Sequence, residues 1–219
     1  MSGGAPPGLP AKPRSYYQLA RTDLIGRLPR PLGRVLDVGC AEGAAADLLR
    51  AAGARELVGI ELDAAAAALA AARYDLVLPG SAEDVVSRLD GAFDTVLCYD
   101  VLEHLVDPWR VLRHLRALAA PDARLHVSIP NARHHSLVRD LAVRGTFGYA
   151  EWGHRDVTHL RWFTRRDLVA LLEDTGWRVQ EVTHGALRPV SRRLARLTRG
   201  LSAEFLVWQW QALARPAAA

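Results

Sequence analysis

An α/β domain with a mostly parallel sheet and helices on both faces is what three observations predict. The first is the stretch Arg34 to Gly43, where a short apolar run ends in Asp37 and two glycines, Gly39 and Gly43, precede an alanine-rich helical pattern from Ala44 to Ala52. That order reads as a buried strand turning tightly into a helix. The second is repetition: Leu57 to Asp63 leads into an alanine-rich helix ending near Ala72, Leu76 to Leu78 is a short third run, and Phe93 to Asp100 is a fourth. Alternating strands and helices of this kind form parallel sheets. The third is bulk: with 219 residues, 50% of them hydrophobic, the chain can close one core without a second domain.

The first turn is a candidate ligand site. Gly39 lets the backbone turn where a Cβ would clash, and Gly43 lets the helix begin close to a bound group. The helix N-terminus adds N–H donors for an anionic part of the ligand. Asp37, at the strand's carboxyl end, favours a cationic or hydroxyl-bearing ligand. About 20 residues beyond the turn stands Glu61, where an acid can accept hydrogen bonds from both hydroxyls of a ribose. A nicotinamide-binding turn would more often read Gly-x-Gly-x-x-Gly, which this one does not.

Taken together, these features resemble class I methyltransferases that use S-adenosylmethionine, whose first motif typically reads Asp-x-Gly-x-Gly-x-Gly. Asp37, Gly39 and Gly43 match it, and Ala41 replaces the middle glycine. Ala is compatible with the turn at negative φ and strained at positive φ. The resemblance implies a single-domain Rossmann-like fold, a seven-stranded, mostly parallel sheet with an antiparallel last strand and helices on both faces. It implies S-adenosylmethionine as cofactor, held by Asp37, Gly39, Cys40, Gly43, Glu61, Leu62, Ser81, Ala82, Glu83 and Tyr99. Relatives commonly carry Gly-Asp where this chain has Gly80-Ser81. The serine hydroxyl can accept a hydrogen bond but brings no charge, so Ala82 or Glu83 would share the adenine contact.

The remaining elements follow in order. Ser15 to Ile25 has helical spacing and ends before Pro29 and Pro31. Tyr17 and Arg21 fall on one face, either as a lid reaching the cofactor's carboxylate or as a packing helix with a solvated arginine, and the prevalence of exposed arginines favours the second. Asp107-Pro108 is an N-cap and first helical residue. Val111, Leu112, Leu115 and Leu118 form that helix's apolar stripe, and Pro121 closes it. Arg124 to Ile129 is a fifth strand, followed by an insertion, residues 131–163, too long for an idle loop. Thr164 to Asp167 has capping-box spacing before a helix with Leu168, Leu171 and Leu172 inward. Trp177 to Val182 is the sixth strand, and Phe205 to Ala214 the seventh. Between them Arg192, Arg196 and Arg199 share a helical face, which reads as a solvated row in preference to an anionic-substrate site.

Two further runs narrow the resemblance. Ser128 to His135 and Asp156 to Thr164 are similar to the bacterial methyltransferase-domain group associated with glycan and secondary-metabolite pathways, and more distantly to MetW-type proteins of methionine biosynthesis. The similarity covers about Tyr16 to Val182. It implies methyl transfer to a small-molecule or sugar acceptor, preferably at a hydroxyl oxygen, with N- or C-methylation or a non-catalytic cofactor-binding role as alternatives. The Glu103-His104-Leu105 run recurs in small-molecule members after the fourth strand. His104 and His159 are the candidate bases, with His134, His135 and His154 behind them, because imidazole titrates near neutrality.

Composition sets the outer limits. Cys40 and Cys98 lie in no zinc-like spacing and are expected as free thiols. No carboxylate and amide cluster suited to a magnesium-bound catechol is visible, so no metal is expected. A net charge of +4 with one candidate basic row argues against nucleic acid. The longest apolar stretch is an alanine-rich helix beginning with an acid, so no membrane segment is expected. Residues 1–14 are rich in glycine and proline and lack a signal-peptide core, which leads to the expectation of a mobile tail before a domain over 15–216, in a cytoplasmic monomer or homodimer.

Overall fold

The computed structural model describes residues 21–185 and 203–218. Seven strands form one sheet: β1 (Gly33–Val38), β2 (Ala54–Glu61), β3 (Leu76–Pro79), β4 (Phe93–Tyr99), β5 (Ala119–Pro130), β6 (Trp177–His184) and β7 (Gln209–Pro216). Their order is β3-β2-β1-β4-β5-β7-β6. β1 pairs in parallel with β2 and β4, bringing Val35 beside Leu57 and Thr95. β7 runs antiparallel to both neighbours, with Ala212 opposite Val127 and Val182. This is the sheet the sequence predicts, and it sends the carboxyl ends of β1 to β5 to a single edge.

The helices are α1 (Thr22–Ile25), α2 (Ala46–Ala51), α3 (Ala64–Ala70), α4 (Ala82–Val85), α5 (Pro108–Ala117), α6 (His135–Arg144), α7 (Arg165–Asp174) and α8 (Ala203–Leu206). Alternation along β1 feeds two cores. Leu36 and Val38 meet the stripe of α5 (Val111, Leu112, Leu115) and of α7 (Leu168, Leu171, Leu172). Val35, on the opposite face, joins Ile25, Leu49, Ala70 and Tyr74. Strands buried on both faces are why these segments read as unbroken apolar runs.

Capping follows the sequence closely. Asp63 accepts from the Ala66 N–H at 2.8 Å, Asp107 from Arg110 at 2.9 Å, and Thr164 and Asp167 form a reciprocal capping box. Each such cap contributes about 1 kcal/mol by satisfying N–H groups that the helix itself cannot.

Three expectations need correction, and one open alternative is decided. The helix after the glycine turn starts at Ala46 rather than Ala44, because the chain spends Gly39 to Ala45 on turning, with the Gly43 N–H bonded to the Cys40 carbonyl at 2.9 Å. Pro121 lies inside β5 and does not close α5. The register jumps from Ala119 opposite Phe93 to Arg124 opposite Thr95, so Pro121 falls where a ladder N–H is not needed. β7 begins at Gln209, since Asn131 Nδ2 draws the carbonyls of Glu204 and Val207 to 2.6 and 2.8 Å and holds α8 off the sheet. Finally, Ala41 takes φ 50°, the strained alternative. Tyr17, the arginines at 192, 196 and 199, and residues 1–14 lie outside the described residues.

The insertion is built as a unit. Asn131 and Phe163 pair at its two ends, and α6 crosses between them. Asp140, buried on α6, bonds Arg139 and Arg155 and pairs with Arg144, and those arginines hold its carboxyl below the ordinary range.

Candidate active site

The glycine turn is braced from beneath. Gly39 and Cys40 donate their N–H groups to the Ile60 carbonyl at 2.7 and 3.1 Å, and Ala41 donates to Glu61 Oε2 at 2.9 Å. Those donors therefore serve β2. Gly39 has φ 81°, and a Cβ there would lie 2.6 Å from the Val101 side chain. Gly43 makes room for protein, not ligand: its missing Cβ would stand 3.1 Å from Ala70. The Cys40 thiol turns inward against Gly59, and burial pushes both cysteine thiols up, consistent with inert free thiols.

Two acids stand at adjacent strand ends. Glu61 also accepts from the Asp63 N–H at 2.8 Å through Oε1, so each oxygen carries one protein donor and keeps a lone pair for another. Asp37 is buried and accepts from the Tyr74 hydroxyl at 2.6 Å. Burial raises its carboxyl to about 6, with Tyr74 opposing and the Glu61 charge adding. Glu61 is likewise raised by burial. Beside them Leu62 is 55% exposed, an apolar surface at the sheet's edge. Ser81 caps α4 through the Glu83 N–H, Ala82 packs into the core, and Glu83 accepts from the Asp107 N–H at 2.8 Å.

At the end of β4, Tyr99 bonds His126 Nδ1 at 2.8 Å, and just past it Asp100, at φ 56°, gathers Arg21, Gln209 and Ser128. Arg21 also reaches Gln209 at 2.7 Å, so it is neither solvated nor positioned as a lone cofactor contact. It ties α1 to the edge where β4 and β7 end. Burial raises the Asp100 carboxyl against the pull of Arg21.

The two histidines singled out from sequence come together. His104 and His159 meet edge to face with ring centroids 4.7 Å apart. The Glu103 carbonyl accepts the N–H groups of Leu160 and Arg161 at 2.8 and 3.0 Å, which fastens the insertion to the loop after β4. His104 Nδ1 lies 3.2 Å from the Thr158 carbonyl. A carbonyl can only accept, so Nδ1 carries the proton and Nε2 the lone pair. By contrast, His134 and His154 stack at 4.6 Å, and His154 Nε2 bonds the Trp208 carbonyl at 2.7 Å. Burial lowers His134 to about 4, aided by the charges of its histidine neighbours, so this group anchors the insertion to the segment before β7.

Comparison with known proteins places this geometry. The methyltransferase-domain family matches residues 13–182. The chain belongs to that family. A ubiquinone biosynthesis O-methyltransferase of Xanthomonas euvesicatoria pv. vesicatoria is 29% identical over 209 residues, covering 91% of this chain and 85% of the relative. Among solved structures, an S-adenosylmethionine-dependent methyltransferase of Archaeoglobus fulgidus superposes with TM-score 0.69 at 17% identity, covering 93% of this chain and 94% of that one. A Burkholderia thailandensis 1,6-didemethyltoxoflavin N1-methyltransferase, with 1,6-didemethyltoxoflavin and S-adenosylhomocysteine bound, gives TM-score 0.58 at 20% identity, covering 94% of this chain and 80% of that one.

The protein is an S-adenosylmethionine-dependent methyltransferase. Its residues fit the cofactor: Glu61 retains acceptor capacity for hydroxyls, Asp37 is a buried acid beside it, and Leu62 offers apolar cover. Among the described residues no helix is long and apolar enough to cross a membrane. Sequence reasoning missed Tyr74, Asp100 and Glu103 in this methyltransferase. Tyr74 stands just before β3 in an apolar context, where an aromatic reads as core. Glu103 precedes a histidine at a helix start, where an acid reads as solvated.

Proposed function

We propose that this methyltransferase transfers the methyl group to a hydroxyl oxygen of a small aromatic acceptor. The observation that carries the reading is the convergence of His104 and His159 just beyond the end of β4, on the loop that the insertion is fastened to. The relatives' name, an O-methyltransferase, supports oxygen over nitrogen or carbon. Trp162, Tyr149 and Trp152, exposed at 41, 63 and 70% on the insertion, supply aromatic surface and support an aromatic acceptor over a sugar.

When bound, S-adenosylmethionine supplies a methyl group on a positively charged sulfur. Glu61 accepts the ribose hydroxyls, Leu62 covers the adenine and the turn from Gly39 to Gly43 bounds the rest. Residues 131–163 form the wall over the acceptor. Transfer is an in-line displacement, so much of the rate comes from alignment, and the chain's remaining task is to remove the hydroxyl proton. The His104 and His159 pair promotes this at the acceptor oxygen, with His104 held by Thr158.

Kinetics of His104→Gln and His159→Gln test the assignment. Loss of about 10²- to 10⁴-fold in turnover with cofactor affinity intact is expected. Near-normal turnover in both would move the reading to an amine or carbon acceptor.

A further inference from the structure

The loop after β4 holds a side chain that nothing above explains. Glu103 is 1% exposed, and among the described residues neither of its carboxylate oxygens has a hydrogen-bond partner. A buried carboxylate without partners costs several kcal/mol, and proteins retain one where a cation or ligand completes it. The donors around it are two imidazoles. One ligand atom each from Glu103, His104 and His159 lie within 4.8 Å of one another, a group found once among the described residues.

The geometry points to a divalent transition-metal site, Zn²⁺ foremost, made by Glu103, His104 and His159. Two histidines and one carboxylate are a donor set suited to Zn²⁺ and its first-row neighbours, while two imidazoles disfavour Mg²⁺ and Ca²⁺. A tetrahedral Zn²⁺ with bonds of about 2.0–2.1 Å wants its donors roughly 3.4 Å apart, so each atom must move by less than about 1 Å, within the reach of side-chain rotation. The surroundings are already arranged for it. His104 Nδ1 is tied to the Thr158 carbonyl at 3.2 Å and faces the Thr158 hydroxyl at 3.1 Å, and that hydroxyl donates to Asp156 Oδ1 at 2.7 Å. A carboxylate, a hydroxyl and a backbone carbonyl thereby orient the imidazole and direct its Nε2 lone pair to the metal, which is how outer partners support metal-bound histidines.

Three protein ligands leave the fourth position open, the pattern of catalytic zinc. This part rests on the hydroxyl-methylation reading. The acceptor hydroxyl takes the open position, the cation lowers its pKa and the proton leaves to water. The acceptor oxygen then forms its bond to the methyl carbon as the carbon–sulfur bond breaks and its electron pair returns to sulfur. The cation activates the oxygen, so His104 and His159 promote loss of the proton through it, as its ligands and not as free bases.

The test needs neither cofactor nor acceptor. Chelator-treated protein is titrated with Zn²⁺ by calorimetry and with Co²⁺ by visible absorption, alongside Glu103→Gln, His104→Gln and His159→Gln, each checked for a normal thermal unfolding transition. The inference predicts one equivalent bound, ligand-field bands for Co²⁺, a Zn²⁺-dependent rise in Tm, and at least 100-fold weaker binding in His159→Gln. Loss of the Co²⁺ bands in any one folded variant is sufficient support should another not fold. No uptake, or uptake unchanged in all folded variants, overturns it, the latter pointing to the His134, His135 and His154 group. Uptake at this site stands whether or not a hydroxyl is methylated, so failure of the metal and failure of the acceptor assignment are read separately.

Discussion

Asp37→Asn should stabilise the cofactor-free protein at neutral pH, and by an amount that depends on pH in a defined way. The Asp37 carboxyl is raised from 3.8 to about 6, chiefly by burial. Below about pH 4 it is neutral folded or unfolded and contributes nothing to pH dependence. Between about pH 4 and 6 the unfolded chain ionises first, the folded state holds the extra proton, and stability falls as pH rises. Above the folded value the full cost remains, and the displacement from 3.8 to about 6 corresponds to about 3 kcal/mol. Asparagine cannot ionise, yet its amide oxygen can still accept the Tyr74 hydroxyl, which now bonds Asp37 at 2.6 Å. Urea denaturation of both proteins at about pH 4 and about pH 7.5 should show the difference, variant minus parent, growing by about 3 kcal/mol across the interval. A difference that stays constant with pH would refute the claim that Asp37 is held under desolvation in the folded protein.

Two other substitutions probe the same edge of the sheet. Ala41→Gly should raise stability by about 0.5–1 kcal/mol in urea melts: relief of φ 50° gains about 1–2 kcal/mol, and the greater freedom of the unfolded chain takes back about half. A loss of stability would mean the turn is not strained there. Glu61→Ala should weaken S-adenosylmethionine binding by about 1–3 kcal/mol in calorimetry and lower Tm, because Ala41 and Asp63 lose their acceptor. Unchanged affinity would remove Glu61 from the cofactor site.

The sheet was legible because parallel strands leave continuous apolar runs, and the caps because Asp63, Asp107 and Thr164 act on their own neighbourhoods. Boundaries set by distant partners were not. Nothing near Phe205 signals that Asn131 holds its segment off the sheet, and nothing near Pro121 shows the register jump that admits it. The candidate site divides the same way. Asp37 and Glu61 declare themselves by position after apolar runs, whereas Tyr74 completes Asp37 from 37 residues away. His104 and His159 are legible as imidazoles that could reach one proton, and the fold adds Glu103 to them. The expectation of no metal rests on the lack of a carboxylate and amide cluster suited to magnesium, a criterion that two imidazoles and one carboxylate from separate segments do not meet.

The central claim is oxygen-directed methyl transfer to a small aromatic acceptor. The most direct measurement supplies the protein with methyl-deuterated S-adenosylmethionine and a mixed panel of phenols, catechols, sugars and amines, and locates the label by mass spectrometry. A trideuterated methyl on a phenolic oxygen, formed by the parent and lost in His104→Gln and His159→Gln, is the predicted result. Label on nitrogen or carbon, or a product formed equally by both variants, would contradict it.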